Sequence, residues 1–172
     1  MTESRRFYGK YRGVVVNNAD PKQLGRLQAT VPDVGGLTPT TWAMPCVPLA
    51  GPQMGAFGMP PVGAGVWCEF EGGNIDYPIW SGCWWGGREE MPALALATAP
   101  NFTNIVLQTL GQCTLQISDA PPGGTIMLKT SGGASITISD TGGIVMTDGQ
   151  GGTIVVTKGI VSINGTALVV TK

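Results

Sequence analysis

Apolar residues recur at every second position along most of the second half of the chain. The pairs Ile126/Leu128, Ile136/Ile138, Ile154/Val156 and Val161/Ile163 each stand two residues apart. A period of two places side chains on one face of a β-strand, so one face is expected to be apolar and the other to carry Thr, Ser, Lys or Asp. Gly-Gly pairs at 123–124, 132–133, 142–143 and 151–152 separate these segments. The pattern predicts eight short strands, over 105–109, 113–118, 125–130, 134–139, 144–148, 153–158, 160–164 and 167–171.

The first half is also cut into short strands, but at irregular intervals and without helical periodicity. Loops rich in Pro and Gly, at 32–40 and 51–62, interrupt it. Five short strands in so few residues suit a small closed barrel of the OB type, because closure removes exposed strand edges. We expect Trp42, Trp67 and Trp80 in its core. The predicted strands are Tyr11–Val16, Gly25–Val31, Trp42–Val47, Gly65–Phe70 and Ile79–Trp84.

One apolar face per strand, repeated every 7 to 10 residues, poses a burial problem for a single chain. Gly, Ser and Thr make up 24 of the 50 residues 123–172, and charged residues are only 12% of the whole sequence. Three chains wound around a common axis would turn every apolar face inward. The sequence therefore predicts an all-β homotrimer: an OB-fold barrel at 1–87, a linker at 88–104, and an intertwined triple-stranded β-helical needle at 105–172.

The charge and hydropathy of the chain indicate which partners it lacks and where it is made. The net charge of −1 provides no field that would attract nucleic acid or an anionic membrane. No apolar run reaches the roughly 18 residues that a membrane helix needs. No apolar run follows the basic N-terminal residues, so synthesis and folding in a bacterial cytoplasm are expected.

The sequence contains no arrangement typical of catalysis or of a metal centre. There is no histidine, and the four cysteines, at 46, 68, 83 and 113, form no CxxC pair. We expect the cysteines to be small apolar side chains packed in strands. Beyond residue 100 the acidic residues are Asp119, Asp140 and Asp148, each beside a turn. A non-enzymatic protein without cofactor or metal is predicted.

The order and spacing of the Pro, Gly and aromatic residues in the first half resemble those of a known domain. The stretch GRLQATVPDVGG…TWAMPCVPLAG…GAFGMPPVGAGVWCEFEGGNIDYPIWSGCWWG is similar to the OB-fold domain of phage baseplate assembly protein V and of the VgrG spikes of type VI secretion. The matching elements are Pro32, Trp42, Ala50–Gly51, Pro61–Val62–Gly63, Val66, Phe70–Glu71–Gly72, Asn74–Asp76, Pro78 and Gly82.

The second half resembles the start of the β-helical needle in the same proteins, over LQTLGQCTLQISDAPPGGTIMLKTSGGASITISDTGGIVMT. The resemblance implies a structural spike subunit at the baseplate of a contractile phage tail or injection system. It implies a membrane-puncturing trimer that links a hub protein to a PAAR-type tip protein and contacts the target envelope transiently. Some spikes of this kind end in a His-x-His apex that binds iron. This sequence has no histidine, so a metal-free tip is expected.

Two sets of residues are candidates for contacts with these partners. The basic N-terminal arm and the last aromatic pair of the barrel are expected to bind the hub: Arg5, Arg6, Tyr8, Trp84 and Trp85. The end of the last predicted strand is expected to bind the tip protein, because an unpaired apolar edge invites pairing. Its residues are Ala167, Leu168, Val169, Val170, Thr171 and Lys172.

Two other functions remain open at this point. A receptor- or polysaccharide-binding tail fibre can also be a β-helical trimer, although the second half contains a single aromatic residue, Phe102. A single-stranded nucleic-acid binder could use the exposed rings of an OB barrel, here Tyr77, Trp84 and Trp85, as stacking faces.

Overall fold

The computed structural model describes residues 5–165 and 167–171. The chain divides into two compact units, Met1–Glu90 and Met91–Lys172. Each unit is built around its own β-sheet. No helix among the described residues has the length and apolar character needed to cross a membrane.

The first unit contains seven short strands: β1 Tyr11–Asn17, β2 Gln28–Thr30, β3 Met44–Pro45, β4 Ala50–Gly51, β5 Met54–Gly55, β6 Gly65–Phe70 and β7 Pro78–Trp84. Five of them form a curled sheet with strand order β2-β1-β6-β7-β3. Neighbouring strands are antiparallel except for β3 and β7, which are parallel. A bridge between Leu27 and Ala43 joins the chain just before β2 to the chain just before β3, and this closes the barrel. A small separate hairpin, β4–β5, lies in the long loop after β3.

The barrel core forms because alternate residues of each strand point inward. The largest fully buried side chains are Leu27, Val15, Val31, Val66 and Cys68. Burial raises the pKa of the Cys68 thiol to about 11, so this thiol is an unreactive apolar side chain. A second cluster, formed by the rings of Phe7, Tyr11 and Phe70, adjoins one end of β6.

Several core predictions were wrong. Trp80 is buried and donates a hydrogen bond from Nε1 to the Gly25 carbonyl at 3.0 Å, but Trp42 and Trp67 are only half-buried. Both rings lie on the outer side, where each contacts an arginine. Of the four cysteines only Cys68 is buried; Cys46, Cys83 and Cys113 are exposed. Residue type alone does not determine which side chains point inward, because strand register decides it.

The predicted loops also contain short regular elements. Residues Pro32–Gly35 form one helical turn, α1, in the segment predicted to be a loop. Proline at its start and Gly36, with φ of 62°, at its end account for its bounds. The 3-10 turn Glu71–Gly73 joins β6 to β7, and a second one covers Arg88–Glu90.

The second unit is an eight-stranded antiparallel meander in which each strand pairs with the next along the chain. A short helix, α2 at Ala93–Ala97, precedes it, and Asn104 donates a hydrogen bond from Nδ2 to the Leu94 carbonyl at 3.0 Å. The eight predicted strands are confirmed to within two residues at each end. They are β8 Asn104–Gln108, β9 Thr114–Ser118, β10 Thr125–Lys129, β11 Ser135–Ser139, β12 Gly143–Thr147, β13 Thr153–Thr157, β14 Ile160–Ile163 and β15 Leu168–Thr171.

Candidate assembly surfaces

One face of the needle sheet is an extended apolar surface. Strand pairing aligns its side chains in two columns that run across all eight strands without a polar residue. Column A consists of Leu107, Leu115, Leu128, Ile136, Met146, Ile154, Ile163 and Leu168. Column B consists of Ile105, Ile117, Ile126, Ile138, Ile144, Val156, Val161 and Val170.

Both columns are open to solvent in the single chain. Leu128 and Ile138, in the middle of the sheet, are 51% and 47% exposed. Column A lines an open groove of about 870 Å³. A contiguous apolar surface of this extent marks an interaction site, because monomeric soluble proteins rarely expose one.

The opposite face is less polar than the sequence analysis predicted. Five of its eight central positions are apolar, and Gln116, Thr137 and Ser162 are the polar ones. The polar side chains are instead concentrated toward the strand ends, as at Lys129 and Ser135. The apolar central positions on this face are Val106, Met127, Val145, Val155 and Val169.

Side chains in the turns hold the meander in register. Asp148 accepts hydrogen bonds from the backbone N–H groups of Gln150 and Gly152 at 2.7 and 2.9 Å. These bonds lower the pKa of the Asp148 carboxyl. Asp140 Oδ2 accepts the Gly124 N–H at 2.7 Å, and Asn164 Oδ1 accepts the Thr153 N–H at 2.8 Å. The Asp140 and Asp148 carboxylates thus act as hydrogen-bond acceptors for backbone N–H groups in the turns.

Most of the predicted tip-binding residues lie in β15. Within the part of the chain that the structure describes, β15 is at one edge of the sheet and pairs with β14 alone. Leu168 and Val170 complete columns A and B, whereas Val169 points to the opposite face. Ala167 is an exposed turn residue. The Thr171 side chain and Lys172 lie outside the described residues.

The predicted hub residues of the N-terminal arm lie together. Phe7 anchors the arm: its side chain is buried and its N–H donates to the Gly73 carbonyl at 2.9 Å. Arg6 donates to the Gly72 carbonyl at 3.3 Å, and the Arg5 guanidinium lies 5.1 Å from the centre of the Phe7 ring. Tyr8 is 71% exposed. The arm therefore presents two arginines and a tyrosine beside the turn after β6.

Trp84 and Trp85 differ from each other in their surroundings. Trp84 covers Gly65, which has no side chain to obstruct it, and donates from Nε1 to the Val66 carbonyl at 3.2 Å. Trp85 is 59% exposed. Trp85 is therefore the more accessible of the two rings.

Arg12 is a surface residue that belongs to neither of the two predicted binding sets. Its guanidinium lies 5.6 Å from the Trp67 ring centre and 5.1 Å from that of Trp84, within range of cation–π attraction. The signal in the sequence is weak, since Arg12 and Trp67 become neighbours only through the β1–β6 register. The stack makes a rigid cationic and aromatic patch on the outer sheet face.

The two groups of predicted hub residues are not brought together. The arm adjoins the Phe70–Pro78 end of the β6–β7 pair, and Trp84 lies at its Gly65 end. At about 3.3 Å per residue, β6 separates them by roughly 17 Å. Tyr77 and Trp85, the exposed rings of a possible nucleic-acid surface, are likewise at opposite ends of β7. They form no continuous stacking platform.

Four charged side chains of the barrel form two ion pairs. Asp20 accepts a bidentate interaction from Arg26, with the shortest N–O distance 2.6 Å, and also the N–H groups of Lys22 and Leu24. The Arg26 side chain, together with these N–H groups, holds the Asp20 pKa far below its usual range. Glu69 pairs with Lys10 and accepts a hydrogen bond from Ser81, and both partners lower its pKa.

Within residues 5–165 and 167–171, no group of three or more Cys, Asp or Glu is placed to hold a metal ion.

Comparison with protein families assigns both units. Residues 11–85 match the family described as the type VI secretion system/phage-baseplate injector OB domain. Residues 104–169 match the phage baseplate V C-terminal trimerisation domain. A comparison with curated proteins found no match. The two family matches follow one another along most of the chain and coincide with the barrel and the needle. They support a homotrimer and a structural role, assembled into a phage tail or injection system. The chain belongs to the baseplate V family of phage and type VI spike proteins.

Proposed function

We propose that this protein is the trimeric needle of a baseplate spike, which transmits the force of sheath contraction to the target envelope and links a hub protein to a tip protein. The observation that carries the proposal is the pair of unbroken apolar columns exposed on one face of the needle. Three such faces turned toward one axis make a dry interior, and the antiparallel strands supply hydrogen bonds along each wall.

The architecture suits a rod under load. Eight strands spaced about 4.8 Å apart give a needle of roughly 40 Å. No catalytic step is assigned to it.

Light scattering on the purified chain tests the trimer: a mass of three chains is expected at low micromolar concentration, and a stable folded monomer would refute the needle. Complementation of a particle that lacks this protein tests the mechanical role. A chain without β12–β15 should still assemble into the baseplate but lose infection or killing.

The outer edge of β15, which has no partner strand among the described residues, is the proposed tip-binding surface. Changing Leu168 and Val170 to Asp places charges only in the last of eight layers, so the trimer should persist while a co-expressed tip protein no longer co-purifies. Val169→Asp, on the opposite face, is the matched control and should retain the tip protein. Equal recovery of the tip protein with all variants would refute this surface.

Hub binding is proposed for the N-terminal arm and for Trp85. Because Phe7 is buried, the test replaces exposed residues and keeps the arm in place. Arg5→Ala with Arg6→Ala, Tyr8→Ala and Trp85→Ala are compared for co-purification with the hub. Since the arm and Trp85 lie at opposite ends of β6, loss in only one set would identify the end that contacts the hub. Unchanged recovery in all of them would refute both contacts.

A further inference from the structure

One segment of the barrel has no charged residue and exposes several apolar side chains. Residues 34–68 contain no Asp, Glu, Lys, Arg or His over 35 consecutive positions. Within it Phe57 is 78% exposed and Met54 is 56% exposed. Leu49 is exposed as well, and these three side chains lie in the segment 49–57, which we name the apolar hairpin.

The apolar hairpin is an ordered structure. Ala50 pairs with Gly55 and Gly51 with Met54, and the Ala56 N–H donates to the Leu49 carbonyl at 2.9 Å. The Phe57 ring lies close against Gly25 of the neighbouring loop. If Gly25 carried a Cβ atom, that atom would be 3.3 Å from the Phe57 ring and 3.5 Å from the Pro45 side chain. After the hairpin, Asn18 Nδ2 donates to the Pro60 carbonyl at 2.9 Å and fixes the chain to the end of β1. The exposed side chains are thus held by a rigid base.

A charge-free segment that exposes apolar side chains fits contact with copies of itself. At a threefold axis each side chain faces its own symmetry mates, so a charge there would meet two like charges that cannot be offset. A different protein could supply an opposite charge, and its interface would tolerate charged residues at the rim. The long charge-free segment therefore favours a second copy of this chain over an unrelated partner.

The needle brings three barrels together. The chain between the barrel and β8 is short, so three barrels attached to one trimeric needle have an effective concentration in the millimolar range. A contact too weak to hold free barrels together would be occupied under those conditions. We infer that the apolar hairpins of the three subunits meet one another and join the barrels into a collar, an inference that rests on the proposed trimeric spike.

Cross-linking in the full-length chain tests the collar. Cys46, Cys83 and Cys113 are exposed and are changed to Ser, while buried Cys68 is kept. Met54→Cys is then introduced, with Tyr77→Cys as a matched control that is exposed but outside the charge-free segment. A short bismaleimide should join the Met54→Cys subunits into dimers and trimers at least about tenfold faster than the control, since proximity raises the effective concentration.

A second substitution tests whether the apolar contact causes the proximity. Phe57→Asp should reduce cross-linking at position 54 to the control rate without changing the trimer mass, whereas Tyr77→Asp should leave it unchanged. Because Phe57 also packs on Gly25, tryptophan fluorescence checks that the barrel is folded. If it is not, Leu49→Asp takes the place of Phe57→Asp.

The outcomes separate this inference from the proposed function. A monomer in light scattering would refute the spike and the collar together. A trimer in which position 54 cross-links no faster than position 77 would refute the collar alone. Protection of position 54 from maleimide only after the hub protein is added would also refute the collar and assign the hairpin to the hub.

Discussion

The barrel and the needle place their apolar residues in different ways. All ten buried apolar side chains among the described residues lie in the barrel, between Phe7 and Trp80. In the needle the buried residues among those described are Thr114 and Ser118, both polar, while sixteen apolar side chains form open columns. The barrel can therefore fold as one chain, and the needle needs partners to bury its apolar face. Substitutions in each half should separate these two sources of stability.

The largest effect is expected from a charge in a needle column. Ile136→Asp places three carboxylates around the axis of the trimer, and each buried ion costs several kcal/mol. Loss of the trimer is expected, measured as mass in solution. Thr137→Asp is the adjacent control on the opposite face and should keep the trimer. Equal behaviour of the two variants would mean that columns A and B are not the interior.

A cavity in the barrel core should have a smaller and strictly local effect. Leu27→Ala removes a fully buried side chain and should lower the free energy of barrel unfolding by about 2–5 kcal/mol. All five tryptophans lie between residues 42 and 85, so tryptophan fluorescence follows the barrel alone. The trimer mass should be unchanged. Simultaneous loss of the trimer would show that the two units do not unfold independently.

The Asp20–Arg26 pair should make barrel stability depend on pH. Because the folded-state pKa of Asp20 is depressed, its contribution is complete above the unfolded value of about 3.9 and declines as pH falls below it. Asp20→Asn should therefore lower the melting temperature at pH 7, and the difference from the wild type should shrink toward pH 2. Asp33→Asn, at an exposed helical turn, is the control. A difference that is independent of pH would exclude the ion pair as its cause.

The smallest effect is expected from the outer face of the barrel. Arg12→Ala removes two cation–π contacts, each worth about 0.5–1 kcal/mol at an exposed site. We expect a loss of about 1 kcal/mol in barrel stability, measured by urea unfolding with tryptophan fluorescence. Arg12→Lys should recover part of it because the charge is kept. A loss as large as that of Leu27→Ala would mean that Arg12 also contributes to the core.

Sequence predicted the needle better than the barrel for a physical reason. In the meander, Gly-rich turns define the ends of each strand and every strand has a neighbour in sequence, so local patterns determine the sheet. In the barrel, β3 pairs with β7 across more than thirty residues, and a bulge between Val66 and Cys68 shifts the register. The inward or outward position of Trp67 depends on that register. The β4–β5 hairpin and α1 have no period at all, being only two to four residues long.

The candidate surfaces follow the same division: the needle surface was predictable from the sequence, and the barrel surfaces were not. The alternation identified the apolar columns, which local pairing then extended across the sheet. The separation of the N-terminal arm from Trp84, and the position of Arg12 between two rings, follow from long-range pairing that no local pattern encodes.

The strictly sequential pairing of the meander makes the needle modular in length. Removing one hairpin, residues 143–157, leaves β11 and β14 antiparallel and brings Ile136 opposite Ile163 and Ile138 opposite Val161, so that both columns stay continuous. Each such step changes the rod by about 10 Å, two strand spacings. Loss of a single strand would instead reverse the direction of everything that follows. Spikes of this design can therefore lengthen or shorten over evolution in whole hairpins while their end surfaces stay the same.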